Sequence, residues 1–175
     1  MIGIILNEIK RFLINDLDMA ISNSDPTKCS IIKIGALQDD PTSGSWCCIK
    51  HHPDKGSVAG WPDHGSGGLG SALILGEIGP YNQRWTHYIK VEAGTYASTL
   101  DELIGYMDTL GARVQDSLIE NADLNDISKQ VGSRTHSMVG MQETIIESYT
   151  TSIRGGDGDW LGRIEIVAHY HAETT

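Results

Sequence analysis

NQRWTHYIKVEAGTYASTLDELIGYMDTLGARVQDSLIE, residues 82–120, is the stretch on which the fold turns. Its first part alternates. Trp85, His87, Ile89 and Val91 share one side, and Arg84, Thr86, Tyr88, Lys90 and Glu92 share the other, so Arg84–Glu92 reads as a half-buried strand that Gly94 ends. The second part has helical period. Leu103, Met107, Leu110, Val114 and Leu118 line one face, and Leu100 and Ile104 are expected to widen it. Thr99 with Glu102 fits a capping box, with Ser98 and Asp101 as a near alternative, so the helix is expected over 99–120. Asp101 and Glu102 suit the positive end of its dipole. Gly105 and Gly111 cost helix propensity, about 1 kcal/mol each against alanine, and leave room for another backbone to approach.

Upstream, residues 2–22 form an amphipathic helix, with Ile5, Ile9, Phe12, Leu13 and Leu17 in register and one polar break at Asp16. Pro26 stops it. Cys29–Leu37 and Ser45–His51 read as two strands, and their closeness in the chain predicts a hairpin. From His52 to Pro80 the chain is Gly-rich and reads as a long loop, with 72–75 a possible brief strand. Downstream, 121–140 is polar and gives no firm signal. Gln142–Arg154 and Trp160–Tyr170 alternate on either side of Gly155-Gly-Asp-Gly-Asp, a closing hairpin. These elements describe one α+β domain over 1–175. A mostly antiparallel sheet of four to five strands is flanked by two helices, with a Gly-rich insertion at about 52–80.

The formal charge is −10, which argues against general binding of a nucleic-acid backbone. Cys29, Cys47 and Cys48 are an odd set and no disulfide framework; they read as small buried hydrophobes. The first residues lack the pattern of a signal peptide, and no apolar run reaches the roughly 20 residues that span a bilayer, so no membrane association is expected. The seven histidines, with the His169-x-His171 pair, invite a metal reading, but a third ligand at recognisable spacing is missing. Asp157-Gly-Asp159 opens like a calcium loop, yet Ala168 stands where the bidentate Glu belongs. The Gly65-Ser-Gly-Gly-Leu-Gly run lacks the Lys-Ser/Thr ending of a phosphate loop and the spacing of a nucleophile elbow. No catalytic residue, cofactor or metal ligand is therefore assigned.

The layout resembles that of the tail terminator proteins of long-tailed bacteriophages and related neck and tail-completion proteins. The resemblance rests on the starting helix Ile2–Ser22 and the strand after Ile78-Gly-Pro-Tyr81, which runs Arg84-Trp-Thr-His-Tyr-Ile-Lys-Val91. It continues in the helix Leu100–Leu118 that follows and the final hairpin ending at Tyr170. It is one of pattern over most of the chain outside 52–80. It implies a structural virion protein without enzymatic activity: a homohexameric ring that stops tail-tube growth and joins tail to head connector. Such a ring is assembled in the host cytoplasm and retained in the virion neck. Its partners would be further copies of itself, the tail tube protein and the head connector, with DNA passing through unbound. Within that reading Arg84, Tyr88 and Lys90 are candidate subunit or partner contacts, and Asp101, Asp108, Asp116 and Glu120 a candidate acidic lumen face. The alternatives are a head- or tail-completion protein of the same neck, a metal-dependent enzyme using the histidines, and a small-ligand-binding domain using the Gly-rich loop.

Overall fold

The computed structural model describes residues 2–17, 25–37, 44–52, 71–74, 83–124, 128–131, 134–138, 146–156 and 158–174. The elements in order are α1 (Ile2–Asp16), β1 (Cys29–Ile34), β2 (Ser45–His51), β3 (Ser71–Ile74), β4 (Gln83–Ala97), α2 (Leu100–Glu120), β5 (Ser128–Val131), β6 (Arg134–Met138), β7 (Ile146–Gly155) and β8 (Trp160–Thr174). The class is α+β, with a mostly antiparallel sheet and two helices.

The spine is the antiparallel pair β4–β8. It is continuous from Gln83 opposite Thr174 to Ala97 opposite Trp160. Each of these 15-residue strands offers its outer edge to two shorter neighbours. β2 takes the Ile89–Gly94 part of β4, and β3 takes the Arg84–His87 part. β7 takes β8 from Trp160 to Ala168, and β6 takes Ala172–Thr174. Two five-strand arrays thus share one spine: β1-β2-β4-β8-β7 and β3-β4-β8-β6-β5. The five strands expected from the sequence make up the first array.

The helices lie side by side on one face of that array, α1 over β1 and β2, α2 over β4 and β8. The core between the layers takes Ile5, Ile9, Phe12 and Leu13 from α1 and Leu103, Met107, Leu110, Val114 and Leu118 from α2. The sheet adds Ile49, Ile89, Val91, Ala93, Ile164, Ile166, Ala168 and Tyr170. The stripes read from periodicity are those that are buried. The polar break at Asp16 is explained by α2, whose Ser117 hydroxyl and Asn121 amide both donate to its carboxylate. The expected cap is present: Thr99 Oγ1 accepts from Glu102 N at 3.3 Å. Thr99→Ala is expected to lose about 1 kcal/mol, read from the denaturant midpoint.

Several expectations are corrected. β1 and β2 pair in parallel, so they are not a hairpin. β1 stops at Ile34 because Gly35 takes φ +97, a left-handed conformation. β4 does not end at Gly94. The Trp46 indole lies flat on that backbone, where a Cβ would sit 2.5 Å from Trp46 Cε2, so glycine serves a close approach within the strand. Leu100 and Ile104 do not widen the buried face, being exposed at its margin. The stretch 121–140 contains the β5–β6 hairpin. Residues 18–22, 53–70, 75–80 and 142–145 lie outside the described residues, and with them most of the expected Gly-rich loop, the end of the first expected helix and the start of the expected strand at Gln142.

Tyr170 brings a phenol into the apolar interior, where its Oη lacks a hydrogen-bond partner among the described residues. Burial pushes its pKa far up. Removing an unsatisfied buried polar group relieves a desolvation cost of about 1–3 kcal/mol. Tyr170→Phe is therefore expected to raise the thermal midpoint; a clear fall would show that the hydroxyl is bonded in solution.

Candidate assembly surface

Of the residues singled out from sequence, Arg84 stands in β4 opposite Glu173 of β8, with its side chain outside the described set. Tyr88 is half-buried on the sheet face away from the helices, edge-on to the His169 ring at 6.2 Å. Lys90 lies on that same face but inside the sheet, in a ladder of charges across three strands. Lys50 Nζ of β2 contacts Glu92 Oε2 at 2.8 Å, Lys90 Nζ contacts Glu92 Oε1 at 3.2 Å, and Lys90 also pairs with Glu165 of β8. Burial raises the Glu92 pKa, but its bonds to Lys50 and Lys90 outweigh that and hold it below the ordinary value. For Lys90, burial acts downward and is outweighed by Glu165 and Glu92, which raise it. Lys90 therefore braces the sheet. Asp101, Asp108, Asp116 and Glu120 are all exposed on α2.

The described histidines do not converge; His64 and the side chains of His136 and His171 lie outside the described residues. His51 and His87 stack obliquely at 6.3 Å on the helix side, His87 being buried, whereas His169 is on the opposite face. Among the described residues no group of three His, Cys, Asp or Glu side chains could hold a metal ion. Gly156 N donates to Asp159 O at 3.1 Å and Gly158 takes φ +101, the features of a tight turn between β7 and β8; Asp157 lies outside the described residues. Cys29, Cys47 and Cys48 are buried free thiols. Burial raises the pKa of all three, Cys29 to about 12, which keeps them protonated and unreactive.

What sequence reasoning missed lies at the sheet edges. Among the described residues β1 pairs only with β2 and β7 only with β8, so these strands border the helix-backed array on opposite sides. Of the eight large hydrophobic residues exposed by 37–46% among the described residues, seven belong to these two borders. Ile31 and Ile34 are in β1. Ile14 is on α1, roughly 160° around the helix from Asp16, which faces α2, so it points toward the β1 side. Tyr149 and Ile153 are in β7. Leu100 and Ile104 share one stripe of α2 with Gly111, and at Gly111 an added Cβ would run into the Tyr149 ring, 3.1 Å from Cζ. That stripe faces β7. The charges differ as well: Lys10 and Lys33 flank the β1 border, Asp101 and Asp108 the β7 border. Burial, then the Asp108 charge, raises the Tyr149 phenol pKa, which places Asp108 beside that ring.

The fold thus defines an α+β layer protein whose helix-backed array ends, among the described residues, in two unlike strands, each unpaired on its outer side. No protein-family model matches the chain, and no curated protein matches it.

Proposed function

We propose that this protein is a structural component of a bacteriophage neck, forming a ring that terminates the tail tube and joins it to the head connector. The observation that carries the reading is the pair of strand borders, unpaired among the described residues, on opposite sides of one helix-backed sheet; they hold nearly all the exposed bulky apolar side chains among the described residues. A free strand edge is a template for another chain, and unlike surfaces on opposite sides make heterologous contacts, which close into rings. The order of helix, strand, helix and closing hairpin agrees with the layout on which the resemblance rests. A net charge of −10 suits a channel that DNA must cross without adhering. Native mass spectrometry is expected to give one closed oligomer, alone or on purified tail tubes, and the tubes to be capped. Binding to head connectors but not to tubes would move the assignment to a completion protein of the same neck. A strict monomer that joins neither overturns the reading.

A further inference from the structure

Building on that ring reading, we propose that copies of the chain join head to tail through their strands, the β7 edge of one copy pairing antiparallel with the β1 edge of the next. Strand directions permit this. β1 and β2 run together, β4 opposes them, β8 runs with β1, and β7 opposes β1. A neighbour rotated about an axis along the strands therefore offers its β1 antiparallel to β7, and the sheet continues across the boundary with all helices on one side.

Chemistry selects this pairing over its rivals. The β1 border offers Ile31 and Ile34 with Lys33, and Lys10 on α1 above it. The β7 border offers Tyr149 and Ile153 with Asp101 and Asp108 on α2. Joining β7 to β1 brings Ile34 toward Tyr149 and Ile153 on the helix side of the sheet, and Lys10 of α1 toward the acids Asp101 and Asp108 of α2. Joining β1 to β1, or β7 to β7, would bring like charges together, which disfavours the two-fold dimer and favours the closing ring. The main-chain groups that are unpaired among the described residues along both edges gain hydrogen-bond partners at the same time.

The test uses the full chain with Ile31→Cys and Thr150→Cys, two strand residues on the face away from the helices, linked by a flexible bis-maleimide. The native thiols are buried and stay unreactive. The double variant is expected to give a ladder of covalent oligomers ending at a fixed ring size. The two single variants, mixed, should give one heterodimer band, and neither alone should give a product. A homodimer from Ile31→Cys alone would mean a two-fold contact and overturn the proposal. No cross-link in a sample that native mass spectrometry shows to be a closed oligomer would overturn these edges and leave the ring standing. A monomer that neither cross-links nor binds tubes would remove both. Lys10→Glu serves as a second variant, since Lys10 of α1 and Asp108 of α2 both lie on the helix side of the sheet. It should slow cross-linking about tenfold, with recovery when combined with Asp108→Lys; an unchanged rate would overturn the charge pairing.

Discussion

Replacing Ile166 by aspartate is expected to leave the chain unfolded at neutral pH and able to fold only in acid. Ile166 is completely buried in β8, between Val91 of β4 and Tyr149 of β7. It lies on the sheet face that the helices cover, within the main core. A carboxylate there would lose its hydration without a partner, at a cost of several kcal/mol, against a total stability of roughly 5–15 kcal/mol for a domain. The side chain would respond by remaining protonated, so its folded pKa would stand above the unfolded value of about 3.9. The sign follows. Stability of the variant is greatest below the unfolded pKa and falls as pH rises, by up to about 1.4 kcal/mol per unit.

The native chain leans the other way. Glu92 is held below its ordinary value, so its contribution is present above the unfolded carboxylate range and is lost as pH falls through the depressed folded value. Urea titrations at pH 4 and pH 7 should therefore show opposite trends for the two proteins. Equal midpoints at pH 7 would remove Ile166 from the core.

The second large effect is expected at Gly162. α2 comes down on β8 at this residue, and a side chain there would place its Cβ 2.5 Å from Met107 Cγ and 3.2 Å from Leu103 Cδ1. Both residues belong to the buried stripe of α2. Methionine is unbranched and adaptable, so alanine should be absorbed in part, at about 1 kcal/mol. Valine adds two methyl groups that nothing can yield to without lifting the helix. Gly162→Val should therefore cost about 3 kcal/mol, near the top of the usual range for overpacking. The denaturant midpoint measures the loss. Met107→Ala should recover part of it in the double variant, since the two sites share one contact.

How far the sequence could be read depended on whether each element is specified locally. α2 was legible to its cap because Thr99 and Glu102 sit just ahead of a strict apolar period. β2 was legible to its bounds, and the β7–β8 hairpin followed from its alternation and its glycine-rich turn. The direction of β1 against β2 was not legible, since alternation is the same in a parallel or an antiparallel partner. The β5–β6 hairpin was missed because Ser128-Lys-Gln-Val and Arg134-Thr-His-Ser-Met carry little apolar contrast; β6 is placed by main-chain pairing with the far part of β8. Leu100 and Ile104 fit a helical period as well as Leu103 does, and only the neighbour across the stripe separates core from border. The border surface was illegible for the same reason: it is made by strands and helices distant in sequence.

The uninterrupted β4–β8 pair also governs the order of events in folding. Its partners are about sixty to ninety residues apart in the chain, so the spine must close a long loop before its hydrogen bonds reward it, and such topologies fold in milliseconds to seconds. The β7–β8 hairpin and α2 are local and form sooner. Until β8 docks, β4 is itself an open edge, and β1 and β7 have no fixed relation to each other. Only after the slow step does the chain become a piece with a defined left and right side, so completion of the monomer acts as the clock for building anything from it.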